Sequence, residues 1–187
     1  MRASFGISIS ALLMLAACQQ QAAQPVDEPS EAPSDPLADA TKASVQLGGG
    51  GIVVPAQAGD AQLELPFGSL RNATETSLAA VLGEKTGSSA QDECPVGPVM
   101  TTDYDDMTLS FQNDKFAGWM AEGQYLPTET LGEFKAQQGV TAVPDSTLGS
   151  EYTMGEEGGP IITVLFDGTG DDAKASKMWA GANCIFR

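Results

Sequence analysis

The chain has 187 residues, enough for one domain of ordinary size with a leader or tail and too few for two full domains. Nine Lys and Arg stand against 25 Asp and Glu, a net charge of −16 that argues against nucleic acid or an anionic membrane surface as partner, since both need a basic patch. The absence of histidine excludes Ser-His-Asp and Cys-His catalysis, imidazole acid–base chemistry and His-ligated zinc or haem, while 42% hydrophobic residues suffice for a real core.

Arg2 forms a minimal positive n-region, and Phe5 to Ala17 is an apolar run too short to cross a bilayer as a helix. It reads as a secretory signal over residues 1–17. The ending Leu15-Ala16-Ala17-Cys18 resembles the lipobox of bacterial lipoproteins, in which the cysteine is acylated and becomes the mature N-terminus. This resemblance implies an acyl (palmitate-type) anchor on Cys18. Gln19 in place of Asp resembles lipoproteins sorted to the outer membrane, which puts the expected location in the periplasm, anchored to that membrane. Cys94 and Cys184 then remain, and two thiols in an oxidising compartment are expected as a disulfide closing a loop of about 90 residues.

Residues 18–44 form the expected linker. Pro25, Pro29, Pro33, Pro36, five acids and no aromatic residue give a composition that cannot bury enough surface to fold. Extended as polyproline II, its 26 residues after Cys18 would reach about 80 Å at roughly 3.1 Å each. Gly48 to Gly51 read as a flexible joint.

The folded domain is expected over 45–187. Ile52 to Val54 and Gln62 to Phe67 read as strands, the latter by alternation of Leu63, Leu65 and Phe67. Asn72 with Glu75 marks a helix start, Leu78, Val81 and Leu82 its apolar stripe, and Gly83 its stop. Gly87 to Pro98 reads as a loop carrying Cys94. Strands are expected at Val99 to Tyr104, Thr108 to Gln112 and Lys115 to Ala121, the last two joined by a tight Asn113-Asp114 turn. Thr130 with Glu133 is a capping box for a short helix stopped by Gly139 and followed by a Val140 to Val143 strand; Ile161 to Phe166 and Lys177 to Gly181 complete the pattern.

Asn72 to Phe111 spans 39 residues and Thr130 to Phe166 spans 36, and each Phe is followed by a turn and a Lys, apolar, Ala-Gly stretch. The expected fold class is therefore α+β: two diverged units, about 52–122 and 123–187, each a helix packed on an antiparallel sheet, with one disulfide.

Phe67-Gly68-Ser69, the helix ending Leu82-Gly83-Glu84 and the run Leu109 to Phe116 resemble the helix-then-hairpin unit of the SmpA/OmlA outer-membrane lipoproteins and of β-lactamase-inhibitor-like repeats. Glu93-Cys94, Leu109 to Trp119, Ser146 to Tyr152 and Trp179 to Arg187 are similar to an uncharacterised group of alphaproteobacterial envelope proteins over most of residues 50–187. The closer group implies no activity. The broader one implies roles in barrel assembly or enzyme inhibition.

The densest carboxylate clusters are Asp103, Asp105 and Asp106, and the loop Asp167-Gly168-Thr169-Gly170-Asp171-Asp172. Asp167, Asp171 and Asp172 are weak cation candidates, because an EF-type loop needs a bidentate Glu at its twelfth position and this one has none. A solvated hairpin turn is the better reading, so no metal and no cofactor is expected. Paired carboxylates would suit a small glycoside hydrolase, but no acid is marked as the proton donor. The lysines show no Ser-x-x-Lys spacing. Most aromatics sit in strands as core, and Trp119 and Trp179, at equivalent ends of the two units, are the candidates for an exposed interaction patch. The expectation is a non-enzymatic, lipid-anchored binding or scaffolding module whose sheet surface meets an envelope protein, with a hydrolase, an enzyme inhibitor or a cation-binding surface protein as rivals.

Overall fold

A computed structural model describes residues 45–56 and 61–187; the expected signal, Cys18 and the linker lie outside the described residues. Among the described residues the architecture is a mixed one, mostly antiparallel sheet with two α-helices and one disulfide, Cys94–Cys184.

β1 (Gln46–Gly48), β2 (Gly51–Val54) and β3 (Leu63–Pro66) form a small antiparallel meander. Gly48 pairs with Gly51, so the glycine run expected to be a joint is a hairpin turn. α1 (Arg71–Leu82) follows. It starts one residue before Asn72, whose side chain accepts only from the neighbouring Ala73 amide, and the capping position is held by Leu70 with no side-chain cap. What pins the start is the tertiary fold: Arg71 N–H donates to Asp114 O, and Phe116 N–H to Ser69 O. Gly83 ends the helix at φ 87°, as its sequence position predicts.

The large sheet contains β4 (Gly87–Gln91), β5 (Val99–Tyr104), β6 (Met107–Gln112), β7 (Lys115–Ala121), β8 (Val140–Ala142), β9 (Ser150–Gly155), β10 (Ile161–Phe166) and β11 (Ala175–Gly181). Their spatial order is β4-β5-β6-β7-β11-β10-β9-β8, all antiparallel. Asn113 and Asp114 both take positive φ, 51° and 57°, the backbone a two-residue hairpin demands. α2 (Leu131–Lys135) has the predicted capping box between Thr130 and Glu133 but ends four residues short of Gly139. Its start is pinned as that of α1 is, here to the β10–β11 connection, through Leu131 N–H to Ala173 O and Gly132 N–H to Asp171 O.

Register assigns the faces. Leu109, Trp119 and Ala180 pair in one row, and Met107, Ala121, Met178 and Val164 in the next, so these side chains share one side of the sheet. That side holds the apolar core: Leu78 of α1, Leu131 and Phe134 of α2, and Ile52, Val54 and Leu65 of the small sheet are all buried with them. Trp119 is fully buried there, and its indole N–H donates to Gly48 O at 2.9 Å, tying the small sheet to the large one.

A polar knot fastens α1 to the sheet. The Glu75 carboxylate accepts from Arg71 (2.8 Å), Thr102 (2.6 Å) and Lys85 (3.2 Å), and Arg71 also reaches Ser88 and lies 5.2 Å from the Phe111 ring centre. Burial acts to raise the Glu75 pKa, but the three donors outweigh it and hold the carboxyl at about 2. Tyr104, in contrast, is pushed up to about 12 by burial and by the negative charge of Glu75 and Glu84.

Glu75 is depressed on folding, so its contribution is complete above its ordinary value of 4.5 and disappears as pH falls toward about 2. Glu75→Gln is expected to cost about 2–3 kcal/mol at neutral pH. The gap to wild type should close in urea titrations run stepwise from pH 5 to pH 2.

Candidate functional site

The second side of the large sheet carries Thr101, Thr108, Ser110, Gly118, Met120, Trp179, Thr163, Leu165 and Glu151, by the same register. A strap of six residues, 182–187, is anchored on it. At Gly181 the backbone turns with φ 74°, a conformation that suits glycine. Ala182 N–H then donates to Ala117 O, the Asn183 and Ser110 side chains meet at 3.2 Å, and Cys184 joins Cys94. The Cys94 loop is held in turn by Gln112, whose amide donates to Val96 O. The strap lies so close to β7 that a Cβ on Gly118 would come 2.4 Å from Ala182 O; the absence of a side chain at Gly118 is what admits it.

The far end of the strap is electrostatic. Glu151 has a side chain with no exposed surface and is bound by Arg187, at 2.5 Å, and by the Ser146 hydroxyl. Burial works to raise the Glu151 pKa; the bonds from Arg187 and Ser146 prevail and lower it. Removing Arg187 would leave a buried carboxylate with one donor, which is why this contact holds the strap down.

Three of the five exposed large apolar side chains among the described residues belong to this side: Val96 in the Cys94 loop (43%), Ile161 of β10 (46%) and Phe186 of the strap (64%). Trp119 and Trp179, expected at the surface, are not there. Trp119 is 0% and Trp179 5% exposed, because their strands are the two central ones and adjacent register places the rings on opposite faces, one in the core and one on the strapped side. The sequence signal missed Gly118, Asn183, Glu151 and Arg187. No local signal marks them, since each takes its role from a partner far along the chain: Gly118 from Ala182, Asn183 from Ser110, and Glu151 from Arg187.

The acidic loops have structural work. Asp167 accepts from the Lys174 amide, Asp171 is paired with Lys135 at 2.7 Å beside α2, and Asp103 accepts from Thr108. Gln124 N–H reaches Asp106 at 3.5 Å, and Asp105 supplies a positive φ in the β5–β6 turn. Among the described residues no group of three His, Cys, Asp or Glu is placed to hold a metal ion. Among the described residues the carboxylates with altered pKa, Glu75, Glu133 and Glu151, are all lowered, the direction opposite to that of a general acid in glycoside hydrolysis. Two clefts border α1: an apolar one of about 510 Å³ between Val54, Leu63 and Val81, and a polar one of about 360 Å³ at Arg71, Asn72, Glu75 and Asp114. No helix among the described residues is long and apolar enough to cross a membrane.

No protein-family model matches the chain, and neither a curated protein nor a solved structure matches it.

Arg187→Ala is expected to destabilise the domain by about 2 kcal/mol, and Glu151→Gln by less, because the second change removes the buried charge itself and leaves only Arg187, whose half-exposed side chain water can solvate. Gly118→Ala should lift the strap, seen as faster amide hydrogen exchange across 182–187 with the Trp119 core still protected.

Proposed function

We propose that this protein is a lipid-anchored binding or scaffolding module of the bacterial envelope, non-catalytic, held to the outer membrane on its periplasmic side by acyl chains on Cys18 and carried clear of it by the Pro- and acid-rich residues 18–44. Lipid fixes the chain, the linker supplies reach, and the strapped side of the sheet meets a protein partner. The observation that carries the last point is the grouping of Val96, Ile161 and Phe186 on the face that the strap and the Cys94 loop organise, while the opposite face is filled by the core. Apolar anchors on a rigid, disulfide-braced surface are the form of a protein–protein hot spot. The Cys94–Cys184 bond, at a sequence separation of 90, keeps that surface in place at a chain-entropy gain on the order of 4 kcal/mol.

The reading extends to the architecture. α1 with β4 to β7 and α2 with β8 to β11 repeat one order of elements, each helix start is bonded to the turn before the last strand of its set, and β7 and β11 meet at the centre. These correspondences support two diverged units, to which the β1–β3 meander is an addition at the front. The resemblance of the sequence to SmpA/OmlA and inhibitor-like repeats is part of this reading, and with it a role in docking to another protein.

Affinity capture from detergent-solubilised envelope should return a partner with the wild-type protein and lose most of it with Ile161→Ser and Phe186→Ser together. Cys18→Ser should shift the protein from the membrane to the soluble fraction. A partner retained by the double variant, or none beyond that of the Cys18→Ser control, would count against the proposal.

A further inference from the structure

A second surface, separate from the strapped face, lies at the β4 end of the large sheet. β4 has β5 on one side and, among the described residues, no strand on the other. Its residues, Gly87-Ser88-Ser89-Ala90-Gln91, contain no proline and no charge, and four of the five are exposed. Edge strands are ordinarily protected by Lys, Pro, bulges or brevity. The opposite edge follows that rule: β8 has three residues and Pro144 two positions beyond it. β4 does not.

Register shows which amides are open. Tyr104 pairs with Met107 across a two-residue turn, which makes them a hydrogen-bonded pair, so Asp103, Thr101 and Val99 turn their amides toward β4. Their partners are Gly87, Ser89 and Gln91. Ser88 and Ala90 therefore direct N–H and C=O outward along the open edge. The strand is stiffened from behind, since Ser88 Oγ donates to Thr101 O at 2.7 Å and accepts from Arg71, and Ser89 Oγ meets Thr101 Oγ1 at 2.9 Å.

Charge decides the occupant. Residues 45–187 carry 20 acids and 7 bases. Arg71, Lys85, Lys135, Lys177 and Arg187 are paired with acids, and Lys174 donates to a backbone carbonyl. Asp92 and Glu93, both exposed, stand at the end of β4. A second copy would bring the same negative surplus to the edge. We infer that β4 is a docking edge for an extended, basic peptide segment of another protein, which adds as a ninth antiparallel strand through the outward groups of Ser88 and Ala90 and sets basic residues at its N-terminal end against Asp92 and Glu93. Side chains along β4 are small, so main-chain bonds supply the affinity and charge the selectivity.

The test uses the full-length protein in detergent and a fluorescein-labelled peptide of sequence Lys-Lys-Val-Thr-Val-Thr, followed by anisotropy and hydrogen exchange. Binding is expected together with slowed exchange at Ser88 and Ala90. At least a tenfold loss is expected for Glu-Glu-Val-Thr-Val-Thr, for the basic peptide with alternate amides N-methylated, and for Ala90→Pro, which removes an outward N–H and no bond to β5. Should Ala90→Pro fail to fold, the N-methylated peptide still decides. No binding at millimolar peptide, binding indifferent to N-methylation, protection mapped away from β4, or an Ala90→Pro-sensitive self-dimer in place of peptide binding would each overturn the inference.

Discussion

The pairing of β7 with β11 is the constraint on which the rest depends. Gly118 to Ala121 lie against Gly181 to Met178, so segments some sixty residues apart in the chain share one ladder. Each of these strands would otherwise be a sheet edge with unpaired amides. Joined, they make one sheet of eight strands. The same register sends Trp119 into the core and Trp179 to the other side, and it brings Gly181 and Gly118 together where the strap must turn and pass. Removal of side chains at those two positions is what lets the backbone of Ala182 lie directly on β7.

Two polar knots then fix what hydrophobic burial leaves free. Glu75 binds α1 to the β4–β5 corner, and Glu151 binds the strap to β9. Each carboxylate is kept ionised by directed donors that prevail over burial. Five of the seven bases of residues 45–187 are drawn into local ion pairs, which leaves the surplus of acid on the surface and defines the electrostatic character of both proposed docking surfaces.

Legibility varied with the physics of each element. β5, β7 and β10 could be read to the residue because apolar periodicity, flanking turns and β-branched or aromatic content agree there. The Thr130–Glu133 box and the Asn113-Asp114 turn were legible because they are local chemistry, complete within four residues. β4 read as a loop since an edge strand exposed on both sides has no apolar alternation to display. β1 was hidden in a glycine run, and β9 by Glu151, a charge that sits on a buried face only because Arg187 comes from 36 residues away to meet it. Asn72 looked like a cap, yet the helix begins earlier, where backbone bonds to the β6–β7 turn replace a side-chain cap.

The sequence by itself determined the mixed helix-and-sheet class, the disulfide from cysteine arithmetic, and the exclusion of histidine chemistry, because composition and short-range pattern carry those properties without reference to distant residues. Tertiary structure alone decided which tryptophan faces which side, which carboxylates are buried, how the last six residues are strapped across the sheet, and which edge stays open. Those outcomes depend on strand register and order, and register is set by contacts between residues tens of positions apart, which no local pattern encodes.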